Sequence, residues 1–202
     1  MRRLLGLMLL CCSLAALTAI AAAAQAESMG AAAPAASAPA AGKATAGFQA
    51  DLVADLDEAM DHLLQLADAM PADKYGWRPG EGVRSFAEVL GHVAAGYYAG
   101  AASLGTPVPA GVDPGKLEAV SDKAAAIASL RAAVDHFKAA SAAVETADLD
   151  TPVDLFGMKL NKRRVMLLMQ GHGHEHTGQA IAYARMNGVV PPWSRPQPKA
   201  GG

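Results

Sequence analysis

The stretch Gln170-Gly171-His172-Gly173-His174-Glu175-His176 places three of the chain's six histidines within five residues. It lies within residues 161–186, where apolar side chains recur at steps of three and four, a pattern that predicts a long amphipathic helix. Residues four apart are neighbours on one helix face, so His172 and His176 project together while His174 points roughly the opposite way. Two imidazoles at this spacing are typical of helices that chelate Zn²⁺ or a similar divalent ion. A histidine-rich surface tract is the alternative interpretation.

The neighbours of this pair favour an inward-facing position. The stripe continues at the same steps through Met166, Met169, Ala180 and Tyr183. Buried imidazoles without partners are costly, and a metal ion would remove that cost. A third ligand candidate is His92, flanked by Val89 and Val93, although a core histidine bonded to the backbone is the alternative. Three histidine ligands leave coordination positions open, as in catalytic sites. We expect His62 and His136, which have charged neighbours, to be solvated, and His174 not to be a ligand.

Three further segments have helical periodicity and one apolar face each: residues 48–70, 85–103 and 121–145. The second begins with Ser85-Phe86-Ala87-Glu88, a capping box, and Asn187-Gly188 supplies the stop of the last helix. Residues 148–160 are too short and broken for a helix and could form a small hairpin or an irregular loop. Four amphipathic helices bury their apolar faces against one another, so we expect an all-α protein, a four-helix bundle over residues 47–195.

The N-terminus has the pattern of a secretory leader. Two arginines precede an apolar run, and Ala24-Gln25-Ala26 suits signal peptidase, so residues 1–26 are predicted to be a signal peptide. An uncleaved membrane anchor is the alternative. Residues 27–46, rich in Ala and Pro, predict a flexible tether, and residues 196–202 a flexible tail. The mature protein is then expected to be periplasmic or extracellular, without stable membrane insertion.

The composition excludes several classes of function. The net charge is −2 and no basic stripe is present, so we expect no nucleic-acid partner. Aromatic residues make up 5% of the chain, which argues against a large β core. Both cysteines, Cys11 and Cys12, lie in the predicted leader, so the mature chain has no thiol for catalysis. An exported domain without disulfides must be stabilised by packing, or by packing and a metal.

Three motifs are distinctive in combination. The first is Met70-Pro71-Ala72-Asp73-Lys74-Tyr75-Gly76-Trp77-Arg78-Pro79. The second is Val83-Arg84-Ser85-Phe86-Ala87-Glu88-Val89-Leu90-Gly91-His92-Val93. The third is His172-x-x-x-His176-Thr177-Gly178-Gln179, followed by Tyr183-x-Arg185-Met186-Asn187-Gly188 and Pro191-Pro192. Together they resemble the DinB-like (damage-inducible) superfamily from Phe48 to Arg195, except that Thr177 stands where the family usually has a basic residue.

The resemblance implies an up-down-down-up four-helix bundle that binds one divalent ion, often Zn²⁺ or Ni²⁺, through His92, His172 and His176. It also implies that a homodimer is possible. Some characterised relatives transfer low-molecular-weight thiols or hydrolyse small amides. An exported member would not meet cytoplasmic thiols at useful concentration, which disfavours thiol transfer. The expected function is therefore that of a metal-dependent hydrolase or transferase acting on a small-molecule substrate that the sequence does not identify.

Other interpretations of the site stay open at this point. The protein could be a non-catalytic metal-binding or stress-related bundle, or a bundle whose histidines form a pH-sensitive core without metal. Gln179 and Tyr183, three and seven residues past His176, could orient a ligand or be ordinary interhelical hydrogen-bonding residues. Glu175 is a candidate base, although it points about 100° away from the adjacent ligand. His172-x-x-Glu175-His176 also matches the inverted zincin pattern, but no glutamate follows Glu175 to complete that site.

Overall fold

The computed structural model describes residues 47–196, and within them the chain forms four α-helices, short 3₁₀ turns and one small hairpin. The helices and strands are α1 (Phe48–Ala69), α2 (Phe86–Leu104), α3 (Lys123–Ala142), β1 (Pro152–Leu155), β2 (Met158–Asn161) and α4 (Lys162–Met186). The four predicted helices are thereby confirmed, and the segment left open between α3 and α4 is a hairpin. The predicted leader, the tether and residues 197–202 of the tail lie outside the described residues.

Side-chain caps fix where three helices begin. Ser85 Oγ accepts a hydrogen bond from the Glu88 amide at 3.2 Å, and the Glu88 carboxylate accepts one from the Ser85 amide at 2.6 Å, which completes the predicted capping box of α2. Asp122 caps α3 through the Ala125 amide, and Asn161 caps α4. Helix α3 is shorter than predicted at both ends, because the Asp122 cap defines its start and the chain turns away after Ala142.

The helices pack as a four-membered bundle. Helix α1 packs against α3 and α4, and α2 packs against the same two helices. Fully buried side chains from all four helices fill the centre, among them Leu56, Leu63, Leu90, Phe137 and Met166. Burial of each such side chain contributes about 1.5–3 kcal/mol. Within residues 47–196, no helix combines the length and the apolar composition that crossing a bilayer requires.

The hairpin turns through Phe156 and Gly157, because Leu155 pairs with Met158 across the two strands. Both turn residues have positive φ, 54° for Phe156 and 81° for Gly157, as the tight two-residue hairpin turn with matching twist requires. Glycine adopts this conformation freely, whereas an aromatic residue is strained in it. Ser103 at the end of α2 donates to the Asp154 carbonyl at 2.9 Å, which fixes the hairpin to the bundle.

Candidate metal centre

Three histidine rings from two helices meet at one point. His92 lies on α2, and His172 and His176 lie one turn apart on α4. One ring nitrogen from each lies within 4.8 Å of the others, and the ring centroids are 4.5–5.0 Å apart. His176 is buried and the other two are half-buried. The cluster could hold a single metal ion.

A glycine on α2 makes room for this cluster. A Cβ atom on Gly96 would lie 2.8 Å from Nε2 of His172, closer than real Cβ contacts come. The absence of that carbon lets the Nε2 edge of the imidazole approach the α2 backbone, four residues along from His92. Gly173 has the same role on α4, where a side chain would overlap the Tyr97 hydroxyl. Both glycines are therefore required by the close approach of α2 and α4.

A carboxylate fixes the orientation of His92. Nδ1 of the ring lies 2.9 Å from Oε1 of Glu118, which itself accepts two hydrogen bonds from the Arg84 guanidinium. The hydrogen bond from Arg84, followed by that from His92, holds the pKa of Glu118 below its ordinary value, so the carboxylate is ionised. An ionised carboxylate only accepts, hence Nδ1 carries the proton and Nε2 keeps its lone pair free.

Glu118 reaches His92 because its turn lies directly on α2. This turn, residues 114–119 of the connection between α2 and α3, is a short 3₁₀ helix. A Cβ atom on Gly91 would overlap the backbone carbonyl of Leu117, so only glycine permits the contact. Sequence reasoning missed Glu118 and its partner Arg84, since the connection has no helical periodicity that would place it. The one available signal was the glycine immediately before His92.

A chain of hydrogen bonds fixes His176. Nδ1 of its ring lies 2.7 Å from Oε1 of Gln179, and Gln179 donates through Nε2 to the Tyr183 hydroxyl at 2.9 Å. Tyr183 in turn donates to the Arg84 carbonyl at 3.1 Å and packs edge-on against Trp77. With Gln179 as acceptor, Nδ1 carries the proton and Nε2 is free, as at His92. Both residues that the sequence suggested as orienting groups therefore belong to the support of one histidine.

The surroundings of the His172 ring indicate whether the cluster suits a metal. Its Nε2 is buried and makes no hydrogen bond of ordinary geometry among the described residues, although the nearby His92 backbone partly opposes the lowering of its pKa. A ligand would remove the free-energy cost of this arrangement. Burial, with the neighbouring His176 and His92 rings, lowers the pKa of His172 to about 4. Burial also lowers the pKa of His92, against the opposing effect of Glu118. Neutral rings offer the lone pairs that a metal needs, so the residues present fit a divalent ion.

A cavity of about 950 Å³ extends from the cluster along α4. His92, His172, Glu118, Glu175 and Arg164 contribute its polar groups. The apolar part of the wall comes from both helices, the 114–119 turn and the hairpin: Ala99, Pro114, Phe156, Leu167, Leu168 and Met169. Glu175, expected to point away from the ligands, does line this space. The arrangement offers a small molecule an apolar surface that ends at His92 and His172.

The remaining histidines lie apart from the cluster. His174 is exposed and its Nε2 lies 2.8 Å from the Asp55 carboxylate on α1, away from the three clustered rings. His62, predicted to be solvated, is instead half-buried and stacks on Trp193 with 4.2 Å between ring centroids. The prediction that His136 is solvated is wrong, because its Nε2 is buried and its ring packs against Tyr98.

The DinB superfamily model matches residues 55–180 of this chain. Among solved structures, the chain is similar to a DinB-like protein from Bacillus cereus, at 14% identity and a TM-score of 0.60, over 70% of this chain and 93% of that one. It is also similar to the DinB-like protein YjoA from Bacillus subtilis, at 19% identity and a TM-score of 0.47, over 69% and 94% of the two chains. No curated protein matches the chain.

Proposed function

The chain belongs to the DinB superfamily, and from that premise we propose that it is a metal-dependent enzyme, a hydrolase or transferase that acts on a small molecule. The observation that carries the proposal is the cluster of His92, His172 and His176, of which the first two line a cavity large enough for such a substrate. A purely structural metal site is closed by four protein ligands, whereas this cluster offers three.

His92, His172 and His176 would hold the ion, and Zn²⁺ or Ni²⁺ suits three imidazoles best. When bound, such an ion supplies a Lewis acid that polarises a carbonyl or thiol group and acidifies water. The chain's own contribution is to hold the rings in place. Glu118 and Gln179 each occupy the second nitrogen of a ligand ring, so the rings turn their free lone pairs towards one point.

Glu175 is the residue that we propose as proton acceptor. It lies one turn beyond His172 on α4, is exposed to the cavity, and makes no ion pair within residues 47–196. A free carboxylate there can take a proton from the attacking group and return it to the leaving group. Export through a cleaved leader of residues 1–26 is part of the proposal on sequence grounds alone, and it favours hydrolysis over thiol transfer.

The first test is the metal content of the purified protein and of single variants. We expect about one divalent ion per chain, lost in His92→Ala, His172→Ala and His176→Ala and measured by elemental analysis after dialysis. The matched control is His174→Ala, which removes an imidazole from the same helix outside the cluster and should keep the ion. Retention of the ion in any of the first three would remove that residue from the ligand set.

A second measurement separates catalysis from simple metal binding. The metal-loaded protein is assayed against panels of small amides, esters and thiol acceptors, with the Glu175→Gln variant as comparison. Activity that falls by about 10²–10⁴-fold in this variant, at unchanged metal content, is the expected result. Turnover that is absent throughout these panels, with the ion present, would favour a non-catalytic metal-binding protein.

A further inference from the structure

We infer that the cavity accepts an elongated amphipathic molecule whose anionic group binds Arg164, at the end remote from the histidines. The inference rests on the proposed function for the other end, where the reacting group of that molecule would meet the metal. It names the class of substrate, a carboxylate-bearing compound with an apolar middle. Four observations on the cavity support it.

Arg164 and the histidines lie on the same face of α4. Arg164, Leu168 and His172 follow one another at steps of four, which puts their side chains in one row along the helix. All three line the cavity. Eight residues of α-helix span about 12 Å, so the cation and the metal cluster are separated by the length of a small extended molecule.

Arg164 is the free cation of a basic cluster. Its three companions are paired with carboxylates, Lys159 with Asp154 at 2.9 Å, Lys162 with Asp148 at 3.6 Å and Arg163 with Asp150 at 3.1 Å. Within residues 47–196 the Arg164 guanidinium has neither an ion pair nor a hydrogen bond, and the side chain is exposed and contributes to the cavity wall. A guanidinium without a partner presents a fork of donors that matches a carboxylate or phosphate.

The wall between the two ends is apolar and partly open to solvent. Phe156 is 69% exposed and Leu167 is 41% exposed, although both line the cavity. Phe156 is the only non-glycine residue of the described chain with positive φ, at a turn position where asparagine or glycine would be free of strain. An aromatic ring held there at that cost gives the cavity an apolar wall that a ligand would cover.

The charges give the cavity a direction. Glu175 lies at the histidine end and Arg164 at the other, eleven residues apart, or about 16 Å along the helix. Arg164 therefore offers an anionic group a partner at the end remote from the cluster, where the Glu175 carboxylate does not repel it. A ligand with a metal-binding group at one end and a carboxylate at the other would bind in a single orientation, with the carboxylate at Arg164.

The probes are two series of hydroxamates, which chelate divalent ions, titrated calorimetrically into the zinc-loaded protein. One series carries a terminal carboxylate and the other a terminal methyl group, with chains of about two to about ten methylene groups. We expect the carboxylate to strengthen binding by about tenfold or more once the chain spans the distance to Arg164, and to give no gain in short chains.

Two variants and their controls locate the effect. Arg164→Gln should remove the carboxylate gain to within about twofold, while Arg185→Gln, an exposed arginine near the end of α4, should preserve it. Gly171→Leu should fill the cavity, because a Cβ there meets no atom within 4 Å. Long probes of both series should then bind about tenfold more weakly. Gly178→Leu, with equally free surroundings but outside the cavity, should leave binding unchanged.

The outcomes separate the two proposals. If acetohydroxamate does not bind the zinc-loaded protein at all, the open metal position fails, and with it the proposed function. If acetohydroxamate binds, but the carboxylate gives no length-dependent gain or the gain survives in Arg164→Gln, the substrate class inferred here is wrong and the metal site stands. Circular dichroism and zinc content of each variant show that the fold and the ion are retained.

Discussion

His92 owes its orientation to a carboxylate 26 residues further along the chain. A lone imidazole on a helix rotates between several positions, each with a different nitrogen facing inward. The charged hydrogen bond to Glu118 selects one ring orientation and one tautomer, and Arg84 holds that carboxylate in turn. A hydrogen-bond acceptor on the ring nitrogen that does not bind metal raises the basicity of a ligand histidine. It also lowers the entropic cost of metal binding, because the ring is already oriented.

We expect Glu118→Gln to lower the zinc affinity by about 10–100-fold while the fold is retained. The amide can still accept a hydrogen bond from His92, but it lacks the charge that strengthens the bond. Affinity is measured by competition with a chromophoric chelator. The control is Glu81→Gln, which removes the same charge from an exposed loop position, and equal affinities of the two variants would contradict the role given to Glu118.

The sequence brought the three histidines of the cluster into consideration but not all of the residues that orient them. The spacing of His172 and His176 predicts a shared face from helix geometry alone, and His92 is a candidate from its apolar neighbours that the resemblance then supports. Helix geometry also predicts the position of Gln179, because this residue lies on the same helix one turn from His176. It does not predict that of Glu118, since this position depends on the path of an irregular connection, and no local pattern encodes such a path.

Helix α2 is built for close neighbours on several sides. Gly91 faces the 114–119 turn, Gly96 faces His172, and Gly100 faces Met169 and Phe137. Each glycine weakens the helix by about 0.8–1 kcal/mol relative to alanine. In return, backbone and rings approach α2 at distances that any side chain would prevent. Helix α2 is therefore intrinsically less stable than an alanine-containing helix would be, and its glycines allow the close approach of the histidine cluster and of the 114–119 turn.

Gly91→Ala should destabilise the protein by about 1–3 kcal/mol, because the new carbon overlaps the Leu117 carbonyl and displaces the turn. Urea denaturation measures the loss. Zinc affinity should fall as well, and Glu118→Gln should add little in the Gly91→Ala background, since both changes remove one support. Gly178→Ala is the control and should stabilise by up to about 1 kcal/mol. Affinity losses that add in full would contradict the coupling.

Periodicity and caps predicted the helices, whereas the hairpin was left undecided. The box from Ser85 to Glu88 and the cap at Asn161 are local signals, so they specify helix starts without knowledge of the fold. The hairpin turn carries Phe156 where asparagine is usual, which weakens its local signal. Its strands are held by the ends of α2 and α4, and such tertiary contacts are not visible in a single sequence.

Acid should destabilise the metal-free protein as a whole. The pKa of His172 is about 4 in the folded chain against an ordinary value of 6.5, so the unfolded chain binds more protons between these values. Stability therefore falls as the pH drops from about 6.5 towards 4, and the lowered pKa of His92 acts in the same direction. Because the His172 ring is only half-buried, we expect a loss of about 1–2 kcal/mol from it.

Thermal unfolding of the chelator-treated protein across this pH range is the measurement. His172→Gln should flatten the dependence, because glutamine does not titrate, while His62→Gln should preserve it, since that ring lies outside the cluster. A wild-type profile that stays level from pH 6.5 to 4 would contradict the depressed pKa, and an equal slope in His172→Gln would assign the effect to other groups.

Arg84 takes part in both supports of the metal cluster. Its guanidinium donates a hydrogen bond to Glu118, the partner of His92. Its main-chain carbonyl accepts the last hydrogen bond of the chain that begins at His176. Two rings on different helices thus depend on the same residue, which lies in the loop that leads into α2. A displacement of this loop would loosen the orientation of both imidazoles together. By reciprocity, an ion bound between them would make the loop more rigid. Metal occupancy of the histidine cluster and rigidity of the loop that carries Arg84 are therefore thermodynamically linked.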